Sequence, residues 1–205
     1  ATDPPPVGPA ARGILLHFLG RTELSMKWQL WELEEDGFTT ANPTYPSLRY
    51  PFDELAERGV GQGLDECAVQ RAGTVHFVTH SLGGILVRQY LSVNVIPGLG
   101  RVVMLGPPNQ GSQSADYVHS LDILRPLAPE AVEQLGIGDR SIPRRLGAAN
   151  FELGVIAGTE SGLGTLPWSS DMPSDGTVAV TETMVPGMVD FIELPVRHSF
   201  MMWRE

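Results

Sequence analysis

Ser81 lies where a predicted strand runs directly into a predicted helix, a position that could make its hydroxyl reactive. The apolar run at residues 74–79 predicts a buried strand, and residues 82–93 predict a helix. A turn this tight strains its central residue and needs small residues two positions before and after it. The glycines at 83–84 fit, whereas Thr79 stands where glycine is usual. Ser81 is therefore either a nucleophile or a helix N-cap, a role that serine commonly fills.

A serine nucleophile needs a histidine that takes its proton and a carboxylate that orients this histidine and stabilises its charge. The chain has five histidines: His17, His76, His80, His119 and His198. His17 and His76 fall in predicted strands, and we expect each to be a hydrogen-bonded structural residue. His80 adjoins Ser81, and we expect it to point elsewhere and to support packing. The residues alone leave His119 and His198 open as bases.

The elements that must position these side chains alternate along the chain. Strands are predicted at residues 13–19, 38–42, 74–79, 101–106, 152–158 and 191–196. Helices are predicted at residues 22–36, 53–71 and 82–93, the second of them weakened by three glycines. This alternation indicates an α/β fold, with a mainly parallel twisted sheet and helices on both faces. On the first helix, Trp28 and Trp31 are expected to face the core.

The length of 205 residues predicts one domain, residues 13–205, behind an extended proline-rich lead-in at residues 1–12. Prolines interrupt residues 107–150, which predict two or three short helical pieces in a small cap. Six apolar cap residues either line a pocket or pack the cap down, and packing is the commoner role of such residues. They are Leu121, Ile123, Leu124, Leu127, Leu135 and Ile137.

The composition argues against several classes of function. Lys and Arg number 14 against 24 Asp and Glu, and the net charge of −10 offers no basic surface for nucleic acid or anionic lipid. Cys67 is the single cysteine, and the histidines lack the spacing of metal ligands, so we expect no metal and no cofactor. No apolar run approaches the ~20 residues that span a membrane. We expect a soluble protein, cytoplasmic or exported after loss of a signal.

Three motifs along the chain resemble those of the α/β-hydrolase superfamily, and more narrowly of its small bacterial lipase- and esterase-like members. They are His-Phe-Leu-Gly at residues 17–20, Thr-His-Ser-Leu-Gly-Gly at residues 79–84 and Leu-Gly-Pro-Pro-Asn-Gln-Gly-Ser at residues 105–112. The likeness covers about residues 13–200, and the motifs come in the family's order. The resemblance implies the α/β-hydrolase fold, with Ser81 as the nucleophile.

In this superfamily the acid and then the histidine follow the serine along the chain. The resemblance therefore implies His198, just after the last strand, as the base, since His119 precedes every plausible acid. It implies Asp175 as the acid, because Asp-Gly-Thr-Val at residues 175–178 matches a family segment. Two residues of the preceding strand and loop, Glu160 and Asp171, remain alternatives, and Asp190 lies too close to the last strand.

An acyl-transfer site also needs two N–H donors for the developing oxyanion. The resemblance implies the backbone N–H of Leu82 as one donor and that of Leu19 as the other, although Phe18 replaces the family's usual glycine. The implied function is hydrolysis of small carboxylic esters with short- to medium-chain acyl groups, through an acyl-enzyme. An acyltransferase, a thioesterase or a non-catalytic ligand-binding module are the alternatives. The oligomeric state stays open.

Overall fold

The core of the molecule is a sheet of six parallel strands in the order β2-β1-β3-β4-β5-β6. The computed structural model describes residues 11–67, 73–120, 130–162 and 172–203. Its strands are β1 (Arg12–Leu16), β2 (Thr39–Ala41), β3 (Val75–His80), β4 (Leu99–Leu105), β5 (Leu153–Gly158) and β6 (Asp190–Leu194). Helical segments separate every pair of successive strands, which confirms the predicted fold class of a parallel sheet with helices.

The helices lie close to their predicted places. They are α1 (Lys27–Glu35), α2 (Phe52–Ala56), α3 (Gln62–Glu66), α4 (Leu82–Val93), α5 (Gln113–Ser120), α6 (Glu130–Leu135), α7 (Ile142–Arg145) and α8 (Val180–Thr183). A 3-10 turn, Glu23–Met26, precedes α1, and a longer one, His198–Trp203, follows β6. The region predicted as a cap contains α5, α6 and α7. Among the described residues, no helix is long and apolar enough to cross a membrane.

The two faces of the sheet bury different apolar clusters. Because side chains alternate along a strand, Ile14 and Leu16 of β1 join the larger cluster, which contains most of the apolar side of α4. Leu15, between them, joins a smaller cluster with Leu105 and the methionines at 201–202 of the last 3-10 turn. Both faces are therefore covered near the centre of the sheet.

Two details of the predicted helices differ from the structure. Trp28 and Trp31 are 37% and 47% exposed and contact each other with ring centroids 5.4 Å apart, so the prediction that they face the core was wrong. The neighbouring Leu30 and Leu33 pack against the smaller cluster instead. In the second helix the glycines do not end the helix, because a π-helical turn, Glu57–Gly61, joins α2 to α3.

Candidate active site

Ser81 occupies the turn between β3 and α4 in a strained conformation, with φ +53° and ψ −115°. It is the only non-glycine residue of the described chain with a positive φ, a conformation that costs about 1–3 kcal/mol. Its N–H donates to the Leu105 carbonyl over 2.8 Å, and its own carbonyl accepts from the N–H of Gly84 over 3.1 Å. Its side chain makes no capping hydrogen bond to α4. The observed geometry therefore argues against the N-cap interpretation.

The glycines after Ser81 let three elements pack closely. A Cβ at Gly83 would lie 2.6 Å from the Leu16 carbonyl oxygen at the end of β1, and one at Gly84 would lie 2.9 Å from the Met104 sulfur. The same Cβ at Gly84 would lie 3.2 Å from Oγ1 of Thr79. Thr79 is fully buried and donates this hydroxyl to the Val103 carbonyl over 3.4 Å. Because Gly84 has no Cβ, it leaves room for the side chain of Thr79, which stands at the position where glycine is usual.

Asp175 and His198 form a buried pair, with 2.6 Å between Oδ2 of Asp175 and Nδ1 of His198. The other carboxylate oxygen accepts from the N–H groups of Thr177 over 2.9 Å and Val178 over 2.7 Å. The backbone N–H of His198 also donates to the backbone carbonyl of Asp175 over 2.9 Å. A carboxylate held this way fixes the tautomer of the imidazole with the proton on Nδ1, which leaves the Nε2 lone pair free to accept a proton.

Two glycines at neighbouring strand ends make room for this pair. Gly106, directly after β4, has a φ of +54°, and a Cβ there would lie 3.0 Å from Oδ2 of Asp175 and 3.1 Å from Nδ1 of His198. At Gly158, the last residue of β5, a Cβ would lie 2.7 Å from that of Asp175. The role of Gly158 was missed from the sequence, although a glycine ending a predicted buried strand often marks a close approach of two chain segments.

Ser81 and His198 line one cavity of about 260 Å³, together with Phe18 and Leu19 of the turn after β1. Leu82, the first residue of α4, is fully buried, and its neighbour Gly83 packs closely against Leu16 at the end of β1. The other wall of the cavity is mostly apolar and comes from the helices α5 and α6. Its apolar side chains are Ala115, Val118, Val132 and Leu135, and Ser114 adds a hydroxyl.

The six apolar residues of the predicted cap differ in whether they line the cavity. Leu135 lines the cavity, whereas Ile137 is not among its lining residues, and its N–H donates to Oδ2 of Asp116 over 2.9 Å. Leu121, Ile123, Leu124 and Leu127 lie outside the described residues. The choice between pocket lining and cap packing is therefore answered for Leu135 alone, which does both.

The other histidines have partners away from Ser81, apart from His80. Nδ1 of His17 lies 2.9 Å from the Phe18 carbonyl, its ring stacks on Tyr45, and burial lowers its pKa. His76 accepts the N–H of Arg101 over 3.0 Å. Nε2 of His119 lies 3.9 Å from a carboxylate oxygen on α6. The first two are structural, as expected.

His80 does not point away from the site as the sequence suggested, since its ring packs against that of His198 with centroids 4.7 Å apart. It is fully buried, and burial lowers its pKa well below 6.5. Of the two alternative acids, Glu160 lies 3.7 Å from the Arg197 guanidinium. Asp190, which the sequence places too close to the last strand, is exposed at the start of β6. Asp171 lies outside the described residues.

Two buried charged residues that the sequence did not single out brace the loops around the site. Glu182 accepts the N–H groups of Gln113 and Ala179, both over 2.9 Å, and so ties the start of α5 to the loop that carries Asp175. Burial raises its pKa, although these two hydrogen bonds lower it in part. Arg88 of α4 donates to the carbonyls of Asn109 and Gly147, which lie in loops, and of Pro143 in α7. Burial lowers its pKa to about 10.

Among the described residues, no three His, Cys, Asp or Glu side chains are grouped so that they could hold a metal ion. The chemistry that the site offers comes from the hydroxyl, the imidazole, the carboxylate and nearby backbone N–H groups. Nucleophilic acyl transfer uses groups of these kinds.

No protein-family model and no curated protein matches this sequence. Solved structures do match it. The mature form of lipase BlEst2 from Bacillus licheniformis has a TM-score of 0.72 at 20% identity, over 98% of this chain and 90% of that one. A metagenomic carboxyl esterase has a TM-score of 0.66 at 18% identity, over 93% of this chain and 65% of that one.

Phospholipase PlaB from Legionella pneumophila has a TM-score of 0.64 at 18% identity. The match covers 85% of this chain and 45% of PlaB, so this chain spans less than half the length of that protein. An extracellular α/β-hydrolase from a Paenibacillus species also matches, with a TM-score of 0.56. At these identities the likeness concerns the fold, which agrees with the parallel sheet and the strand-turn-helix at Ser81. The chain has the α/β-hydrolase fold.

Proposed function

We propose that this protein is a serine hydrolase that cleaves carboxylic esters, with Ser81 as nucleophile, His198 as general base and Asp175 as the acid that orients it. One observation carries the proposal. A serine held in a strained turn, whose hydroxyl does not cap its helix, shares a cavity with a histidine that is bonded to a buried carboxylate. A purely structural role gives no reason to combine these three features.

In the proposed mechanism, Oγ of Ser81 attacks the ester carbonyl carbon while Nε2 of His198 takes the hydroxyl proton. Asp175 keeps the imidazole in the productive tautomer and stabilises the imidazolium. The N–H groups of Leu82 and Leu19 are proposed to donate to the oxyanion. When the tetrahedral intermediate collapses, the C–O bond breaks and the leaving alcohol takes the proton from His198.

Water then attacks the acyl-enzyme and gives a proton to the same imidazole. The second tetrahedral intermediate releases the carboxylic acid and returns the proton to Ser81. The turn geometry supports this cycle, because a positive φ at the end of a strand exposes the serine hydroxyl above the sheet. Hydrogen bonds from neighbouring elements hold that geometry, so the reaction itself does not have to supply the strain energy.

The proposed substrates carry short- to medium-chain acyl groups. A closed apolar cavity of about 150 Å³ accommodates benzene. The cavity at Ser81, at about 260 Å³, therefore has room for an acyl chain of roughly six to eight carbons. The apolar wall from α5 and α6 supplies no charged side chain to bind an ionic acyl group. The fold is shared with proteins described as a lipase and a carboxyl esterase, which fits an ester substrate.

The test compares Ser81→Ala with Ser92→Ala, which removes an exposed hydroxyl at the other end of α4. Both variants and the wild type are assayed with p-nitrophenyl esters and treated with a fluorophosphonate. Ser81→Ala is expected to lose about 10⁶-fold in kcat, as removal of a triad serine does elsewhere, and to show no covalent mass increase. Ser92→Ala should behave as the wild type. A folded Ser81→Ala protein that keeps its turnover would overturn the assignment.

A further inference from the structure

His80 is a fully buried imidazole that the proposed reaction does not use. It is the last residue of β3, directly before Ser81, and none of its surface is exposed. Neither ring nitrogen makes a well-aligned hydrogen bond in the described part of the chain, although the backbone of His198 lies close enough to raise the pKa of the ring in part. Buried polar atoms normally have partners, because an unmade hydrogen bond destabilises the folded state. A fully buried imidazole with so little hydrogen bonding, directly beside the proposed nucleophile, therefore needs an explanation.

Its contacts point to His198. The two imidazole rings lie with centroids 4.7 Å apart and planes inclined by 41°. Phe18 closes the cluster, with its ring edge-on to His80 at 4.4 Å and to His198 at 6.0 Å. Asp175 fixes only one atom of the His198 ring, so the ring could still swing about that hydrogen bond. Packing by His80 and Phe18 removes this freedom.

The surroundings keep His80 neutral. Burial is the main cause of its lowered pKa, the charge of His198 lowers it further, and the backbone of His198 offsets the lowering in part. Arg21 and His17 act in the same direction as His198. Asp175 is the only carboxylate of the described chain bonded to this cluster, and it contacts the far side of His198. When His198 is protonated, His80 thus remains an uncharged ring against an imidazolium.

We propose that His80 is a positioning residue, whose flat neutral ring packs against His198 and holds that imidazole in the plane that aims Nε2 at Ser81. The inference rests on the proposed function of the site. His80 and Ser81 are consecutive, so one rigid strand end sets the place of both the nucleophile and the surface against which the base rests. A displacement of the strand end would move both together, which preserves their separation.

The test uses two apolar replacements of similar volume that differ in planarity, His80→Phe and His80→Leu. Leucine removes the flat surface and should lower kcat by about 10–100-fold, the cost of a misplacement near 1 Å, with KM changed by less than about twofold because substrate contacts remain. Phenylalanine keeps the flat surface and should stay within about threefold of wild-type kcat. The matched controls are His76→Phe and His76→Leu. His76 is half-buried on the same strand, and neither replacement should alter kcat.

A second measurement does not depend on turnover. In ¹⁵N-edited NMR spectra of the wild type and His80→Phe, His198 should show a single Nδ1–H tautomer with a slowly exchanging proton. In His80→Leu this proton should exchange at least several-fold faster, since the ring is no longer held against Asp175. Equal kcat and equal exchange in the two variants would overturn the inference. If wild-type protein fails to react with the fluorophosphonate, the proposed function fails, whereas the NMR comparison still decides the role of His80.

Discussion

The two walls of the cavity are built differently. On the wall formed by strand ends, backbone hydrogen bonds fix the reactive groups. Ser81 is bonded to the end of β4, and both oxygens of Asp175 have N–H or imidazole partners. The wall formed by α5 and α6 presents mostly apolar side chains to the cavity, with Ser114 as its one hydroxyl and no charged group. Parallel strands give a rigid edge at which chemistry can be placed, and short helices give a surface whose shape can change without disturbing it.

The walls nevertheless have a shared brace. Glu182 bonds the start of α5 to the loop after Asp175, and the hydroxyl of Ser112 donates to the Thr177 carbonyl over 3.2 Å. The first turn of α5, which carries Ser114 and Ala115, is thereby held at the loop that carries Asp175, whereas Val118 of α5 and Val132 and Leu135 of α6 line the cavity without such a bond. We therefore expect changes at the strand wall to reduce catalysis itself and changes on the cap helices to alter substrate preference.

The strongest test of this comparison is Asp175→Asn. It keeps the shape but permits the wrong imidazole tautomer, so kcat should fall by about 10⁴-fold, as in other triads. Kinetics with a short-chain ester measure the loss, and circular dichroism checks folding. Asp190→Asn, which changes an exposed carboxylate, is the matched control. A loss below about tenfold in folded Asp175→Asn protein would remove Asp175 from the proposed triad.

Changes at Val132 should redistribute activity among substrates. Val132→Phe fills the cavity and should lower kcat/KM for six- to eight-carbon acyl esters by about 10–100-fold while acetyl esters change little, since one or two methylenes decide such selectivity. Val132→Ala should shift the preference toward longer chains. Val95→Phe, at a side chain 90% exposed, is the control. Equal losses for all chain lengths would mean that α6 supports the catalytic wall and does not select the acyl group.

The smallest effect concerns stability at the strand wall. The pKa of His80 is lowered in the folded state, so below pH 6.5 the unfolded chain binds a proton that the folded chain does not. Folding stability should therefore fall as the pH falls below 6.5, by up to about 1.4 kcal/mol per pH unit from this residue, until His80 itself protonates. His80→Phe should reduce that slope, measured by urea unfolding between pH 7 and pH 5. An unchanged slope would contradict the buried neutral state.

The raised pKa of Glu182 has the opposite consequence. Here the folded chain holds the proton to higher pH than the unfolded chain, so this carboxyl lowers stability as the pH rises from about 4.5 through its folded pKa. The two residues thus act with opposite signs. Adding Glu182→Gln to His80→Phe separates the two contributions. His80→Phe removes the part of the pH dependence of stability that comes from His80, and Glu182→Gln removes the part that comes from Glu182.

Much of the fold was predictable, because buried parallel strands appear in the sequence as short apolar runs that helices separate. The start of α4 at Leu82 and the ends of β5 follow the predicted places to within a residue or two. The prediction is wrong at Trp28 and Trp31, where helical spacing predicts a core-facing side of α1 but both rings are partly exposed. Spacing fixes which residues share a face, but the packing of α1 against the sheet decides which face is covered.

By itself, the sequence determined the parallel sheet, the tight turn at Ser81 and, through its resemblance to a family, the candidates Asp175 and His198. These depend on local patterns of residue type. The tertiary structure decided that Gly106 and Gly158 leave space for Asp175 and His198, that Glu182 ties the start of α5 to the loop that carries Asp175, and that His80 packs against His198. Such contacts join residues far apart in the chain, so they arise only when the strand ends come together.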